Sequence, residues 1–590
     1  MGALTGMVEG AGLLLFQQLG WLNWNMAQTA VSAEILWIAP VFSLLLFGAA
    51  GLLLAVAGRL ISSPWVHWGG VFLLALLMFF DWLALSGRIR HSAALMLALG
   101  LATVFVRWFR KHEEAALMFF RRALPWALAL TFLLLAGVQG NIWWRERNAL
   151  DGLPSAAPGA PNVLLIVIDT QRADHLSGYG YGRATSPRMD QLAREGALFE
   201  QPFAASSWTL PSHASLLTGR PTFEHNAERN PMDGRYRTIA EELRDRGYRT
   251  AAISANSFFF CRRVGMGRGF IRFEDYFHSM ADMAARTLYG RKFAQFVMRP
   301  LGYEDVPARK LASDVTDATL RWAARDPARP FFAMLNYFDV HDPFLPPRPW
   351  RTRFSKQANP GGILNTFLIR YDVKMTPEEL QGEIDAYDGA IAYVDEMIGR
   401  LVDGLEKYGQ LANTLVIITS DHGEMLGEHG LFLHRNGLHR EVIRVPLILR
   451  WPGRVPAGAR IPTPVTNAAV AATILDLLGS PQQDIFPGPS LAQLWRAPES
   501  AGTWPHPLSE LAQFPFDQMK KVPAYHGAMA SLVSPQYHFI THEKFGHELF
   551  DWVADPQEMT NLAKVPDGSK TAEEFAARLK QRRAKPKPNP

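Results

Sequence analysis

Five long apolar runs lie within the first 145 residues of this 590-residue chain, which are far richer in Leu, Ala, Phe and Trp than the remainder. The runs cover residues 8–23, 34–57, 69–87, 92–109 and 123–143. Several approach the roughly 20 residues that a helix needs to span a bilayer. A cleaved signal peptide fits poorly, because no basic segment precedes the first run and apolar runs continue well beyond it. The pattern predicts a transmembrane helical domain over 1–147, with a buried helical core as the alternative.

The orientation of these helices follows from the basic residues in the short loops. The loop between the fourth and fifth runs, with its flanks, is basic and is expected on the cytoplasmic side: Arg107, Arg110, Lys111, Arg121 and Arg122. The loop between the first and second runs has no Lys or Arg. With five spans, everything after Trp144 is expected outside the cytoplasm. The sequence thus predicts a multi-pass protein of the cell (inner) membrane with the lipid bilayer as a partner.

Composition changes sharply after the last apolar run. Residues 148–161 form a Pro/Gly/Ala linker, and 162–565 read as one globular catalytic domain. The final stretch, 566–590, is a basic tail with several prolines that is expected to fray in solvent. Basic residues form no stripe interleaved with aromatic residues, so we expect no nucleic-acid partner. The single cysteine, Cys261, excludes an intramolecular disulfide and a Cys-based zinc site.

The domain after the linker alternates strand and helix patterns. Continuous apolar runs, typical of parallel strands buried on both faces, cover 162–168, 250–254, 331–335 and 415–419. Helical stretches lie between them at 188–196, 238–246, 312–324 and 377–408. This alternation predicts an α/β fold with a mostly parallel sheet flanked by helices, preceded by the all-α membrane bundle.

Polar side chains follow each predicted strand, at the edge where α/β sheets bind ligands. Asp169 ends the first strand, Asn256 follows the second, and Asn336, Asp339 and His341 follow the third. The fourth strand leads into Asp421 and His422. Two carboxylates and an imidazole, from Asp169, Asp421 and His422, suit one divalent ion such as Zn²⁺, Mn²⁺ or Ca²⁺. Each residue taken alone could equally be a helix cap or a structural group.

The stretch from Ser206 to Arg220 reads as the start of a helix with a hydroxyl at its mouth. Thr209 is a good N-cap residue, Pro211 suits the first turn, and Gly219 suits a left-handed cap at the end. Unpaired N–H groups at a helix N-terminus attract phosphate or sulfate. The Thr209 hydroxyl could attack such an anion and serve as a fourth metal ligand, although an ordinary capped helix is the simpler interpretation.

The motifs together resemble the sulfatase family of the alkaline phosphatase superfamily. They are IDTQRADHL (168–176), SWTLPSHASLLTGR (207–220), DVHDP (339–343), SDHGE (420–424), RVPL (444–447) and the closing ELFD, DP and NL within 548–562. The resemblance covers roughly 161–565. It implies that Asp169, Asp421 and His422 bind the metal with Thr209, which stands at the nucleophile position.

Other residues take their expected roles from the same resemblance. His341 matches the histidine that contacts the transferred group or the leaving oxygen, and His434 falls where relatives place an anion-binding lysine or histidine. Asn256 and His213 are expected to line the substrate pocket, and His429 could supply a further proton donor. For His429 and His434 a solvated loop is the alternative.

Two departures from the family pattern change the expected chemistry. Sulfatases carry a Cys or Ser that is oxidised to formylglycine, followed four residues later by Arg, whereas this chain has Thr209 and His213. Threonine cannot yield that aldehyde, so a plain hydroxyl would form a covalent ester that water or an alcohol then attacks. Lipoteichoic acid synthases and phosphoethanolamine transferases, which this chain resembles in architecture, also use a threonine. A second set of metal-binding histidines is not evident, which predicts one ion.

These observations predict a membrane-anchored, metal-dependent hydrolase or transferase that acts on phosphate esters through a covalent intermediate on Thr209. Its expected substrate is an anionic lipid or glycan of the cell envelope. Sulfate ester hydrolysis is the first alternative. A non-catalytic membrane protein that senses lipid or binds a partner is the second.

Overall fold

The computed structural model describes residues 1–19, 31–60, 64–85, 87–275, 284–293, 296–297, 309–365, 371, 373–480, 484–516 and 519–584. The chain divides into two compact units. The first contains Met1–Asp151 and Tyr276–Ala308, and the second contains Gly152–Asp275 and Arg309–Pro590. The sequence placed residues 276–308 in the globular domain 162–565. The structure instead assigns them to the first compact unit.

The first unit is helical. Four of its helices are long and apolar enough to cross a membrane, judged by length and composition within the part of the chain that the structure describes. The helices of this unit are Gly2–Gln18, Ile35–Leu60, Pro64–Ala84, His91–Lys111, Glu113–Asp151 and the short Leu288–Phe293. Gly2–Gln18 has 17 residues and corresponds to the first predicted span, whose last residues, 20–23, lie outside the described residues. The helix Glu113–Asp151 continues four residues beyond the predicted end of the membrane domain at 147.

The second unit is built on an eight-stranded sheet, as predicted. Its strand order is β11–β2–β10–β7–β1–β6–β4–β5. The strands are β1 Asn162–Ile168, β2 Ala197–Phe199, β4 Arg249–Ser254, β5 Arg272–Glu274, β6 Phe331–Tyr337, β7 Thr414–Thr419, β10 Leu447–Arg450 and β11 Ala459–Ile461. Short two-stranded pairs involve β3 Pro202–Phe203 with β12 Val465–Thr466, and β8 Met425–Leu426 with β9 Phe432–Leu433.

The centre of this sheet is parallel. β1 pairs in parallel with β6 and β7, and β6 pairs in parallel with β4. β10 is antiparallel to both of its neighbours, β7 and β2. Val163 to Ile168 are fully buried, as expected of a strand covered by helices on both faces. Because the four predicted strands lie side by side in the order β7–β1–β6–β4, their carboxyl ends meet at one edge.

The predicted helices of this unit are present with shifts of one or two residues at their ends. They are Pro187–Arg194, Thr209–Thr218, Ile239–Asp245, Ala312–Ala323 and Pro377–Lys407. The unit also contains Val470–Leu477 and the short Thr222–His225, Arg440–Ile443, Gln493–Arg496 and Pro523–His526. Capping boxes begin two of them: Thr238 with Glu241, and Thr376 with Glu379. Each satisfies two N-terminal N–H groups, which explains why these starts were readable from sequence.

The interpretation of Thr209 as an N-cap is wrong by one position. Trp208 is the N-cap, with extended backbone, and Thr209 is the first helical residue. Gly219 does end the helix in the left-handed conformation, at φ 64°. The hydroxyl of Thr209 instead faces His422, with its Oγ1 3.3 Å from Nε2 of that residue.

The prediction that the residues after 566 fray in solvent is also wrong for 566–584. These residues form the helix Pro566–Ala584, which packs on a four-stranded antiparallel sheet of β13 Leu508–Leu511, β14 Met529–Val533, β15 Tyr537–His542 and β16 Gly546–Asp551. Ala572, Phe575 and Leu579 are buried against this sheet. Their spacing forms one apolar stripe, which the basic residues on either side of it, from Lys570 to Arg583, obscured in the sequence.

Candidate active site

Side chains that follow the four central strands converge at the carboxyl edge of the sheet. Asp169 follows β1, Asn256 follows β4, His341 follows β6, and Asp421 and His422 follow β7. The backbone N–H of Asp169 donates to the carbonyl of Tyr337 (2.8 Å), which extends the β1–β6 ladder to the site itself. Rigid strands thus position the predicted ligands.

Asp169, Asp421 and His422 form one buried group whose ligand atoms lie within 4.8 Å of one another. Nε2 of His422 lies 3.4 Å from Oδ2 of Asp421 and 3.8 Å from Oδ1 of Asp169. The other ring nitrogen of His422, Nδ1, is 2.9 Å from the Gly423 carbonyl. A carbonyl only accepts, so Nδ1 carries the proton and the lone pair of Nε2 is directed at the carboxylates.

The hydroxyl of Thr209 completes this group. Its Oγ1 lies 3.3 Å from Nε2 of His422, and the side chain is buried. The structure therefore brings together all four side chains that the sequence nominated as metal ligands. We call Asp169, Thr209, Asp421 and His422 the strand-end cluster.

Two buried carboxylate oxygens of the strand-end cluster have no hydrogen-bond partner, Oδ1 of Asp169 and Oδ2 of Asp421. Their companion oxygens are well occupied: Oδ1 of Asp421 accepts from the N–H groups of His422 (2.9 Å) and Thr170 (3.3 Å). A buried carboxylate oxygen without a partner is costly, and a divalent cation would remove that cost. The donor set, two carboxylates with an imidazole and a hydroxyl, fits one such ion.

Burial dominates the electrostatics of these groups. It raises the pKa of Asp169 to about 6 and that of Asp421 to about 7, with the mutual repulsion of the two carboxylates adding to the shift of Asp169. Burial lowers the pKa of His422. All three shifts disfavour charge in the protein without an ion, and a cation reverses that preference for the carboxylates.

Asn256 and His213, predicted as pocket residues, are tied to the strand-end cluster by hydrogen bonds. Asn256 donates from Nδ2 to Oδ2 of Asp169 (2.9 Å), and its Oδ1 accepts from the N–H groups of Phe258 and Phe259. Nδ1 of His213 lies 3.0 Å from the carbonyl of Thr209. Burial lowers the pKa of His213 to about 3, so this residue is neutral where the family pattern has an arginine.

His341 and His434 lie beside the strand-end cluster, as predicted. The rings of His434 and His422 are 4.6 Å apart between centroids, and those of His434 and His341 are 4.9 Å apart. With Asp342, the two histidines form a second group of potential ligands. This edge of the sheet therefore offers more donor atoms than the one predicted ion needs. Burial lowers the pKa of both histidines.

Glu424 was missed as a functional residue, although it lies in the SDHGE motif. It is fully buried, and its Oε1 lies 3.1 Å from Nδ1 of His434. This contact fixes the ring of His434 and leaves its Nε2 for the site. Asn336 was placed at the strand end without a role, and its Nδ2 donates to Oδ2 of Asp169 (3.2 Å).

His429 lies in a different group from the strand-end cluster. Its ring stacks on that of His439, with centroids 3.8 Å apart, and its Nε2 lies 3.6 Å from Oε2 of Glu441. The structure groups it with His439 and Glu558. Within the described part of the chain, no hydrogen bond or ring contact joins His429 to Thr209, so its predicted role as a proton donor has no geometric support.

Comparison with known proteins agrees with this geometry. A profile of the sulfatase family matches residues 161–480, and the C-terminal profile of N-sulphoglucosamine sulphohydrolase matches 427–585. An arylsulfatase of Clostridium perfringens is 26% identical over 449 residues, covering 68% of this chain and 90% of the relative. The multifunctional alkaline phosphatase superfamily protein PehA of Trinickia caryophylli is 25% identical, covering 70% of this chain and 93% of the relative.

A solved structure gives the same fold. The phosphonate monoester hydrolase of Agrobacterium radiobacter superimposes with a TM-score of 0.58 at 24% identity, covering 72% of this chain and 95% of that chain. The family match covers more than half of the sequence and includes the whole strand-end cluster. The chain belongs to the sulfatase family, within the alkaline phosphatase superfamily of hydrolases.

Proposed function

We propose that this chain is a membrane-anchored, metal-dependent enzyme that cleaves phosphate esters through a covalent intermediate on Thr209. The observation that carries the proposal is the Thr209 hydroxyl, 3.3 Å from Nε2 of His422 and beside two carboxylate oxygens without hydrogen-bond partners. A threonine cannot become formylglycine, so release of the transferred group needs direct attack on an ester. Phosphorus accepts such in-line attack readily, which favours phosphate over sulfate as the transferred group.

Asp169, Asp421, His422 and Thr209 would hold the ion. When bound, a divalent cation supplies a lowered pKa for the Thr209 hydroxyl and withdraws charge from the phosphate oxygens. Thr209 Oγ1 attacks phosphorus while the bond from phosphorus to the alcohol oxygen breaks. The proton that Thr209 loses balances the proton that the departing alcohol gains.

The second step frees Thr209. Water attacks the phosphothreonine and its proton passes to a neighbouring base, while the bond from phosphorus to Oγ1 breaks and Oγ1 takes up a proton to restore the hydroxyl. His341 and His434 suit the role of base because burial lowers their pKa values and keeps their rings neutral. An alcohol in place of water would make the same chain a transferase.

The proposed setting is the cell envelope. We place five spans in the first unit, with the catalytic unit on the extracytoplasmic side, on the basis of the basic loop residues that include Arg110 and Lys111. The proposed substrates are anionic lipids or glycans of the envelope, which an enzyme anchored in the bilayer meets by lateral diffusion.

The direct test is a chemical quench. The full-length chain, purified in detergent with a divalent metal, is mixed with an aryl phosphodiester, acid-quenched and digested for mass spectrometry. We expect a phosphoryl adduct on the peptide that contains Thr209, absent from Thr209→Ala, whereas Thr209→Ser should still form one. Full turnover by Thr209→Ala would overturn the proposal.

Sulfate ester hydrolysis is a second candidate because the matching profile and relatives include sulfatases. Matched aryl sulfate and aryl phosphate substrates separate the two. A value of kcat/KM that is higher for the sulfate ester, with no adduct on Thr209, would favour the sulfatase assignment.

A further inference from the structure

A second group of metal-ligating side chains lies outside the strand-end cluster. It consists of His429, His439, Glu441 and Glu558, which we call the His429 cluster. The donor atoms of His429, His439 and Glu558 lie within 4.8 Å of one another, and Glu441 adds a carboxylate beside His429. We infer that the His429 cluster binds a divalent cation of the zinc type, at a structural site separate from the catalytic one.

The spacing of the donor atoms fits such an ion. Nε2 of His429 lies 3.6 Å from Oε2 of Glu441, and Nδ1 of His439 lies 3.4 Å from Oε2 of Glu558. Zinc–ligand bonds of about 2.0–2.2 Å in a tetrahedron place neighbouring donor atoms about 3.3–3.6 Å apart. Both measured pairs are close to this separation.

Three of the four proposed donor atoms are buried and form no hydrogen bond, their ion-pair contacts being long at 3.6 Å (His429 Nε2 to Glu441 Oε2) and 3.4 Å (His439 Nδ1 to Glu558 Oε2). His439 as a whole is only 8% exposed. A buried polar atom that forms no hydrogen bond destabilises the folded protein. Because the donor atoms of His429, His439 and Glu558 lie within 4.8 Å of one another and Glu441 lies beside His429, a cation among them would satisfy these atoms together.

The fourth ligand, Glu558, is oriented by a hydrogen bond with His538 on the side away from the proposed ion. Its Oε1 lies 2.6 Å from Nδ1 of His538, whose Nε2 is 2.7 Å from the hydroxyl of Ser531. A carboxylate that uses one oxygen for a histidine and presents the other to a metal is the usual outer-shell arrangement. Two neutral imidazoles and two carboxylates also balance the charge of one divalent ion.

The guanidinium of Arg440, which follows His439 in the sequence, is engaged outside the His429 cluster. The guanidinium of Arg440 donates to the carbonyl of Pro556 and to Oε1 of Gln201, and it lies over the ring of Trp552. The backbone N–H of Arg440 donates to Glu558 Oε2 at a long 3.3 Å. These contacts leave the two carboxylates of the His429 cluster without a guanidinium bonded directly to them in the described structure.

Binding requires one adjustment. The rings of His429 and His439 are parallel, with an interplanar angle of 10°. A metal ion lies near the plane of an imidazole that ligates it, so at least one ring has to rotate about its χ2 angle. Such rotation is soft for a histidine. The ion would then join three stretches of chain: the loop after β8, the turn at 439–441 and the segment after β16.

The test compares metal contents of full-length chains. Wild type, His429→Asn and the control His547→Asn are stripped with a chelator, reloaded with Zn²⁺, desalted and measured by mass spectrometry of the elements. Asn is chosen because residue 429 has a left-handed backbone, φ 55°, which Asn tolerates better than most residues. His547 is an exposed histidine on β16. Asp421→Asn is included to report on the catalytic site alone.

We expect His429→Asn to bind one zinc ion fewer per chain than wild type, and His547→Asn to bind the wild-type number. Asp421→Asn should lose an ion independently, so that the double variant loses both. An unchanged zinc content in His429→Asn would overturn the inference, whatever Asp421→Asn shows. A loss in Asp421→Asn alone would support only the catalytic site.

A second measurement guards against a folding defect. Zn²⁺ added to stripped Asp421→Asn should raise its Tm, and the added substitution His429→Asn should abolish that rise while the metal-free Tm stays near that of Asp421→Asn. Stripped Asp421→Asn loaded with Co²⁺ should show visible d–d absorption that disappears with His429→Asn. The same rise in Tm with and without His429 would overturn the inference.

Discussion

The strand-end cluster and the His429 cluster use the same chemistry on different supports. Each combines carboxylates with imidazoles, and each contains buried oxygen or nitrogen atoms without hydrogen-bond partners. In the strand-end cluster, Asp169, Asp421 and His422 follow parallel strands directly. In the His429 cluster, His429 and Glu558 sit in loops with left-handed backbone, at φ 55° and 54°.

The two supports suit different roles. Parallel strands fixed by their ladders hold ligands at constant distances, which a reacting centre needs because small displacements reduce rates strongly. Loops tolerate the ring rotation that the His429 cluster requires, so that cluster suits a structural ion.

Removal of the nucleophile should have the largest effect. Thr209→Ala eliminates the attacking oxygen and one proposed ligand, and kcat should fall by about 10³-fold or more. Stopped assays with an aryl phosphate measure the loss, and circular dichroism checks the fold. Thr209→Ser, which keeps the hydroxyl, should stay much closer to wild type; equal losses for both variants would indicate a structural role for Thr209.

Neutralising one ligand should come next. Asp421→Asn keeps the oxygen that accepts from His422 and Thr170 but removes the charge that faces the cluster. Metal affinity should fall by more than about 100-fold, the upper figure for loss of an outer-shell partner. Titration calorimetry of the metal-free chain measures it. Wild-type affinity in this variant would remove Asp421 from the ligand set.

A smaller effect is expected at Glu424, which orients His434 from outside the reacting groups. Glu424→Gln preserves the size of the side chain but not the carboxylate at 3.1 Å from Nδ1. We expect kcat to fall by about 10- to 100-fold with little change in metal content. Glu424→Ala is the comparison, and a pH–rate profile should shift for both, since His434 is their common target. Parallel loss of metal would instead indicate a ligand role.

The effect of pH should be the most gradual of the four, because it develops over several pH units. In the unfolded chain Asp169 and Asp421 ionise near pH 4, whereas burial raises their folded pKa values to about 6 and about 7. Between these values the metal-free folded state binds more protons, so its free energy of unfolding decreases as pH rises. An ion binds only the ionised carboxylates, so metal affinity should rise over the same window, by up to about tenfold per pH unit for each proton released.

Melting curves with and without metal from pH 5 to 8 check this. The metal-dependent increase in Tm should grow with pH and level off above about pH 7, where both groups are ionised in either state. An increase that is independent of pH would mean that the two carboxylates are already charged without an ion.

The sequence predicted the four central parallel strands of the eight-stranded sheet and the strand-end cluster, because both depend on local signals. A continuous apolar run such as 162–168 has few structural alternatives to a buried strand. A polar residue directly after such a strand lies at the carboxyl edge of the sheet. The capping boxes at Thr238 and Thr376 marked two helices to within a residue or two. These patterns involve residues close together in the sequence, so they can be recognised without knowing the tertiary contacts.

The remaining features depend on contacts between distant residues. The stripe of Ala572, Phe575 and Leu579 has meaning only against the sheet that it covers. Glu424 gains its role from His434, ten residues away across the β8–β9 turn. His429 was assigned to the wrong neighbours because its partner Glu558 lies far along the chain, and no local pattern links the two.

The position of β10 has a consequence for assembly. β2 joins the eight-stranded sheet only through β10, its antiparallel partner on that side, although β2 is synthesised much earlier. Until residues 447–450 emerge from the ribosome, the exposed edges of β2 and β7 have no strand between them. Pairing between strands so distant in sequence slows folding. Until it occurs, the nascent chain exposes unpaired strand edges that can associate with other chains. Maturation of this enzyme should therefore depend on holding those edges apart from other chains while translation continues.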